Sequence, residues 1–111
     1  MARRLEVLLT RGAEQDLSAL YEYLCSAESP ARADAVLERI VAAVTRLQSS
    51  PERGTHPPEL LALGIREYRQ LVLKPWRIIY RVIGAAVYVY LIADSRRDMQ
   101  SLLSRRLLGT E

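Results

Sequence analysis

The chain of 111 residues carries a formal net charge of +3 at pH 7, and 50% of its residues are hydrophobic, a composition typical of one globular domain spanning residues 1–111. Its longest apolar run, residues 85–93, is far shorter than the ~18 residues of a membrane span, and its single cysteine excludes an internal disulfide. Glu6 interrupts the first apolar run, which argues against a secretory signal, so we expect a cytoplasmic protein with no membrane partner.

The N-terminal half is predicted to form one strand and a helical hairpin. Residues 5–9 are typical of a strand, and from Ala13 onward apolar residues recur at helical spacing until the break "SAESP". Ser29 can cap a second helix that Pro30 begins, and its apolar stripe runs to Leu47. Two amphipathic helices joined by so short a break should pack as a hairpin.

The connection over residues 50–64 is rich in proline, glycine and polar residues, and "LLAL" within it could add a helical turn. His56 lies in this segment without a second histidine, a cysteine or paired carboxylates at ligand spacing. We therefore expect His56 to be a solvated loop residue, and we expect neither a metal site nor a cofactor.

The C-terminal half is predicted to add three strands and a short basic helix or tail. Apolar residues alternate with period two in "REYRQLVL", "WRIIYRV" and "VYVYLIAD", and "RRDMQSLLSRRLL" follows them. A helical hairpin must bury its apolar stripes, and one face of a sheet supplies the matching surface. The sequence thus predicts an α+β fold in which the N-terminal strand and the hairpin accompany a mostly antiparallel four-stranded sheet, with the helices on one face.

Turn chemistry gives a register for the last two strands. If Gly84 and Ala85 are the central turn residues, Val82 pairs with Val87, Arg81 with Tyr88 and Ile79 with Tyr90. Ile78, Tyr80 and Val82 then face the core. The residues expected on the open face are Arg77, Arg81, Tyr88 and Tyr90.

The strand register of the first β-hairpin, between "REYRQLVL" and "WRIIYRV", is less constrained by its turn. If Lys74 and Pro75 are its central residues, Tyr68, Gln70 and Val72 share the open face and Arg69 points inward. A buried unpaired arginine is costly, so a longer loop that shifts the register by one residue remains an alternative.

Positive charge is concentrated toward the C-terminus. Residues 1–63 hold seven arginines and nine acids (net −2), whereas residues 64–111 hold eight arginines, one lysine and four acids (net +5). Arginines interleaved with tyrosines suit phosphate contact with base stacking, or a protein interface, although a solvated face is also possible. The candidate contacts for a target or partner are Arg69, Arg77, Arg81, Tyr88, Tyr90, Arg96 and Arg97.

The order of elements, with "YRQLVLKPWRIIYRV", "VYVYLIADSRRD" and a basic tail, resembles the RelE/ParE superfamily of type II toxin–antitoxin toxins over nearly the whole chain. The resemblance implies a small cytoplasmic toxin held inactive in a hetero-oligomer with a cognate antitoxin. We expect a disordered acidic or amphipathic antitoxin segment to fold across the domain, on the face of Arg77 and Arg81 or, as the alternative, on the helical hairpin.

The superfamily implies two different targets. RelE-like members cleave messenger RNA on the ribosome, and by position Arg77, Arg81 and Arg97 match arginines of that site. The usual acid–base groups are missing, since residues 98–111 contain no histidine, tyrosine or lysine. The sequence therefore resembles more closely the ParE-like branch, which poisons DNA gyrase without being a nuclease. A non-catalytic RNA-binding or structural domain is a third possibility.

Overall fold

The computed structural model describes residues 4–108, which form a four-stranded sheet and four α-helices. The elements in chain order are β1 (Glu6–Leu9), α1 (Arg11–Ala27), α2 (Pro30–Thr45), a 3₁₀ turn (Arg46–Gln48), α3 (Pro58–Leu61), β2 (Tyr68–Leu73), β3 (Trp76–Ile83), β4 (Ala86–Asp94) and α4 (Met99–Leu107). None of the helices in this part of the chain is long and apolar enough to cross a membrane.

The sheet has the strand order β1-β4-β3-β2, in which only β1 and β4 run parallel. This confirms the predicted α+β fold with a mostly antiparallel sheet. Helix α1 begins at Arg11, two residues before the predicted start, because Thr10 Oγ1 caps it by accepting a hydrogen bond from the Ala13 amide at 3.2 Å. The predicted cap of α2 is confirmed, since Ser29 Oγ accepts a hydrogen bond from the Arg32 amide at 3.0 Å. Pro30 occupies the first turn of α2.

The hairpin packs on one face of the sheet and forms the main core. Its buried side chains, which include Leu24, Val36 and Ile40, contact Ile78 and Tyr80 of β3 and the inward-facing valines of β4. The predicted core face of β3 is confirmed for Ile78 and Tyr80, whereas Val82 lies near the turn and is exposed.

The opposite face of the sheet carries a second core, which the sequence analysis did not foresee. Helix α4 and the short α3 cover Ile79, Leu91 and Ala93 with a buried stripe that includes Leu60 and Leu103. The expectation that this face is open is therefore wrong for its central part. The physical reason is that these three sheet residues are themselves apolar and need a covering layer.

Helix α4 is anchored to α1 by an ion pair that spans 90 residues of sequence. Arg106 donates from Nη1 to Asp16 Oδ2 at 2.8 Å and from Nη2 to Asp16 Oδ1 at 3.1 Å, and it also donates to the carbonyl oxygen of Tyr90 at 2.8 Å. Asp16 Oδ2 additionally accepts the amide hydrogen of Ile92 at 3.0 Å. Asp16 thus supplies a hydrogen-bond acceptor for a backbone amide of β4 beyond the last residue of β1.

The β3–β4 hairpin follows the predicted register up to a bulge. Gly84 has φ = 60°, as its turn position requires, and Val82 pairs with Val87 and Arg81 with Tyr88. A β-bulge between Ile79 and Tyr80 then places Leu91 opposite Ile79. The predicted pairing of Ile79 with Tyr90 is therefore wrong.

The β2–β3 hairpin has Lys74 and Pro75 at its centre, with Leu73 opposite Trp76, so the shifted register is excluded. The side chain of Arg69 points toward the sheet face on which the α1–α2 helical hairpin packs, and its Nη1 donates to the carbonyl oxygen of Gly54 at 2.8 Å. This bond supplies the partner that an inward arginine requires.

The long connection is fixed against the outer edge of β2. Thr55 and Gln70 exchange backbone hydrogen bonds, and the Tyr80 hydroxyl donates to the carbonyl oxygen of Pro51 at 2.7 Å and accepts from the Gly54 amide at 3.0 Å. A Cβ at Gly54 would lie 2.5 Å from the carbonyl oxygen of Gln70, so only glycine fits there. His56, expected in solvent, is half-buried, with Nδ1 3.2 Å from the carbonyl oxygen of Tyr68.

The Tyr80 hydroxyl should contribute measurably to stability. Tyr80 is 0% exposed, so Tyr80→Phe leaves a buried amide and a buried carbonyl without their partner, and we expect the free energy of unfolding to fall by about 2 kcal/mol. Urea denaturation followed by circular dichroism measures the loss. Tyr88→Phe, on the other face of the sheet, is the control and should change stability by less than about 0.5 kcal/mol. Equal losses in the two variants would contradict the assignment.

Candidate functional site

Arg77 is held in a buried ion pair. It is 8% exposed, and its Nη1 and Nη2 donate to the two carboxylate oxygens of Glu59 at 2.9 and 2.8 Å, while Nε donates to Gln70 Oε1 at 2.7 Å. The hydrogen bonds from Arg77 hold the pKa of Glu59 below its usual value, against the opposing effect of burial. Arg77 was expected on an open face, and the structure corrects this: its guanidinium joins α3 to β2 and β3.

Four residues on the uncovered end of that sheet face form a second feature, here named the aromatic patch: Tyr68, Arg81, Tyr88 and Tyr90. Arg81 Cζ lies 5.6 Å from the centroid of the Tyr68 ring, a cation–π contact. Tyr68 also meets Tyr90 edge to face, with ring centroids 5.4 Å apart. Burial, as the main cause, raises the pKa of Tyr90, so its hydroxyl stays protonated near neutral pH.

The patch brings together three of the candidate contact residues, Arg81, Tyr88 and Tyr90, with Tyr68, which the predicted register had placed on the same face. The rings and the guanidinium are half-buried, and Tyr68 contacts both Arg81 and Tyr90, while Tyr88 is the cross-strand neighbour of Arg81. Much of their capacity for stacking is therefore already used within the sheet.

Arg96 and Arg97 lie at the other end of β4, beside an open cleft of about 630 Å³, here named the arginine cleft. It lies between α1, the start of α2 and the last residues of β4, and its rim and floor include Tyr23, Glu28, Arg32, Trp76, Asp94, Arg96 and Arg97. The aromatic patch and the arginine cleft are thus separate sites, although all these arginines were expected to border a single face.

Two of the arginines of the cleft are already paired. Arg96 donates to both carboxylate oxygens of Asp94, at 2.9 and 2.6 Å, and its hydrogen bonds are the main cause that lowers the pKa of Asp94 to about 2. Arg32 Nε lies 3.3 Å from Glu28 Oε1. Within residues 4–108 the guanidinium of Arg97 makes no hydrogen bond or ion pair, so it is the arginine of the cleft that is free to bind a partner.

A third surface lies on the other side of α1 and is called here the apolar groove. Its apolar lining comprises Val7, Leu9, Leu17, Leu37 and Val41, and Glu14 and Glu22 also line it. Strand β1 borders it at the edge of the sheet that the described residues form. An apolar groove beside a strand edge is the kind of surface that takes an amphipathic helix or an added strand.

The described residues offer little for catalysis. No group of three histidine, cysteine, aspartate or glutamate side chains among them could hold a metal ion. Arg77, Arg81 and Arg97, the candidates for a nuclease site, lie in three different environments: a buried ion pair, the aromatic patch and the arginine cleft. Glu59, which fixes Arg77, was missed because nothing in the local sequence links the two residues. The predicted register placed Gln70 on the same sheet face as Arg77, although not as its hydrogen-bond partner.

The comparisons with known proteins are consistent in sequence and in fold. The model of the family described as "ParE toxin of type II toxin-antitoxin system, parDE" matches residues 7–99. Toxin ParE3 of Caulobacter vibrioides is 29% identical over 100 residues, which are 90% of this chain and 96% of that protein.

Two solved structures share the fold. A chain of the chromosomal ParDE toxin–antitoxin system from P. aeruginosa superposes with a TM-score of 0.68 at 26% identity, over 82% of this chain and 96% of that one. A chain of the RelBE2 toxin–antitoxin complex from Mycobacterium tuberculosis has a TM-score of 0.60 at 20% identity, over 83% and 92%.

Proposed function

Because the chain belongs to the ParE toxin family of type II toxin–antitoxin systems, we propose that it arrests growth by binding DNA gyrase and that a cognate antitoxin neutralises it. The observation that carries the choice of gyrase is the ion pair of Arg77 with Glu59. In this pair Glu59 binds Arg77, the arginine that would have to contact the scissile phosphate in a nuclease of this superfamily. A gyrase poison needs no such residue, because the topoisomerase itself breaks the DNA and the toxin only has to stabilise that state.

The nuclease alternative requires more than the chain supplies. Residues 98–111 contain no histidine, tyrosine or lysine beside Arg97, and loss of general acid–base catalysis lowers a rate by about 10²–10⁴-fold. Arg77 would in addition have to leave Glu59 before it could bind a phosphate. Membership of a toxin family favours both toxin functions over a non-catalytic RNA-binding domain.

For the antitoxin we favour the apolar groove. The two structural neighbours come from toxin–antitoxin systems, and an amphipathic antitoxin helix can bury its apolar side against Leu17, Leu37 and Val41. The face of Arg77 and Arg81, on which the sequence analysis placed the antitoxin segment, is a weaker candidate because Arg77 is not accessible.

The purified toxin is expected to inhibit supercoiling by gyrase and to leave ribosome-bound messenger RNA intact. A supercoiling assay on relaxed plasmid, paired with primer extension on translating ribosomes, measures both activities on one preparation. Toxin saturated with its antitoxin is the control and should restore supercoiling. Cleavage at A-site codons together with unimpaired supercoiling would refute gyrase as the target and would make Arg77, Arg81 and Arg97 the catalytic candidates.

A further inference from the structure

We propose that the arginine cleft is a docking site for an acidic segment of the target protein, one that presents a carboxylate next to an apolar or aromatic side chain. The inference rests on the proposed function only in naming the target as the source of this segment. It assigns a role to Arg97 and Tyr23, which neither the core nor the apolar groove uses.

The shape and residue types of the cleft support a protein partner. Its volume of about 630 Å³ is enough for a few side chains. Trp76 is 5% exposed and forms part of an apolar floor with Leu24 and Ile92, while Tyr23 on the rim is 64% exposed. Tryptophan, tyrosine and arginine are the residue types that contribute most to binding energy at protein interfaces.

The charges of the cleft indicate what this partner carries. Arg32 and Arg96 have carboxylate partners at the surface, and exposed pairs of this kind contribute little to stability. They can therefore exchange partners readily. The guanidinium of Arg97 makes no hydrogen bond or ion pair within residues 4–108, although its charge helps Arg96 to lower the pKa of Asp94. The hydrogen-bonding oxygens of Asp94 are taken by Arg96, and Asp16 in the wall of the cleft is held by Arg106. A single incoming carboxylate matches this arrangement.

The same charges disfavour nucleic acid in this cleft. Glu28 and Asp94 line it and would face the successive phosphates of a bound strand at close range. A site that follows a phosphate backbone needs several unpaired cations along its path. The cleft has one, so a protein segment with one or two acids fits better than DNA or RNA.

The cleft and the apolar groove lie on opposite sides of α1. Tyr21 lines the groove, whereas Tyr23, two positions later on the helix, lines the cleft. Ile92, beneath α1, lines both surfaces, but Arg97 and Tyr23 line only the cleft and Leu37 and Val41 only the groove. These residues allow the two sites to be altered separately.

Trp76 is the single tryptophan of the chain, so its fluorescence reports on the cleft. The probe is a short synthetic peptide with a Leu-Phe pair flanked by glutamates, which should shift the emission of Trp76 saturably. Arg97→Ala should weaken this binding about tenfold, the effect expected for loss of a charge-assisted hydrogen bond. Arg105→Ala removes the same charge from the exposed side of α4 and should leave binding unchanged.

Several outcomes would overturn the proposal: no emission change with the acidic peptide, equal binding by Arg97→Ala, or stronger binding of a lysine-flanked peptide or a single-stranded oligonucleotide. A supercoiling assay separates this inference from the proposed function. If wild-type toxin inhibits gyrase and Arg97→Ala inhibits it equally well, the docking site is wrong and the function stands. If wild-type toxin leaves gyrase unaffected while Arg97 still governs peptide binding, the function is wrong and the cleft stands as an acidic-peptide site.

Discussion

Replacing Arg77 with methionine is expected to lower the free energy of unfolding by about 3 kcal/mol, more than a hundredfold in the folding equilibrium. Arg77 is buried and satisfies three acceptor oxygens, two on Glu59 and one on Gln70. Its removal leaves the partly buried carboxylate of Glu59 with no cation beside it, and α3 is then held to the sheet by apolar packing through Leu60 without the ion pair. Urea denaturation followed by the fluorescence of Trp76 measures the change.

A double-mutant cycle isolates the pair from the packing of the side chains. Glu59→Leu combined with Arg77→Met should recover much of the loss seen with Arg77→Met alone, because no charge is then left unpaired. Arg81→Met, four positions along the same strand, removes an arginine from the half-exposed aromatic patch and should cost less than about 1 kcal/mol. Simple additivity of the two substitutions would show that the pair is not coupled.

The pair also predicts the direction of a pH effect. Arg77 lowers the pKa of Glu59 in the folded protein from its ordinary value of 4.5. The unfolded state therefore binds more protons, so the contribution is fully present above pH 4.5 and is lost as the pH falls through the lower, folded-state pKa of Glu59. This part of the acid sensitivity should be absent from the doubly substituted protein.

Substitution of Val41 by glutamate is expected to weaken antitoxin binding about a hundredfold, which corresponds to about 2.8 kcal/mol. Val41 is 51% exposed in the free protein, so a charge there should affect folding little. In the apolar groove the bound antitoxin would bury that charge without a partner. Calorimetric titration with the cognate antitoxin measures the affinity, and cells that express both proteins should lose protection.

Ala42→Glu is the matched control, since it introduces the same charge at the next position of α2, on its solvent-exposed side. It should bind antitoxin as the unmodified toxin does. Undiminished binding by Val41→Glu would show that the antitoxin binds elsewhere, with the aromatic patch as the next surface to test. Loss of helical circular dichroism in Val41→Glu would mark the affinity change as a folding defect.

The parts of the fold that depend on local chemistry could be predicted from the sequence. Helical periodicity and the Ser29–Pro30 start predicted the hairpin, and Gly84 fixed the register of the nearest pairs because a tight turn admits few geometries. The bulge beyond Ile79 was not predictable in this way, since it depends on how α4 and the hairpin divide the apolar residues of β4 between two faces.

The candidate site was predicted less well, because it is assembled from long-range contacts. The sequence identified Arg77 as a residue of interest but not Glu59, which lies 18 positions away in a segment predicted to be mostly loop. It likewise identified Arg96 and Arg97 but not the cleft beside them, which requires α1 and the end of β4 to be in place. Charge and residue type can be read from a sequence, whereas burial and pairing across elements depend on the tertiary fold.

The contacts between the N-terminal elements and the C-terminal elements determine when the fold can be completed during synthesis. Strand β1 is synthesised first, and its partner β4 follows some 80 residues later. The ion pair of Asp16 with Arg106 likewise cannot form until Arg106 has been synthesised. Translation of a chain this long takes on the order of 10 s. Until β4 has been synthesised, the α1–α2 hairpin has no complete sheet to pack on, and the groove beside β1 is incomplete. The fold can therefore be completed only after α4 has left the ribosomal tunnel, and the surfaces that depend on β4 and α4 form only at that stage.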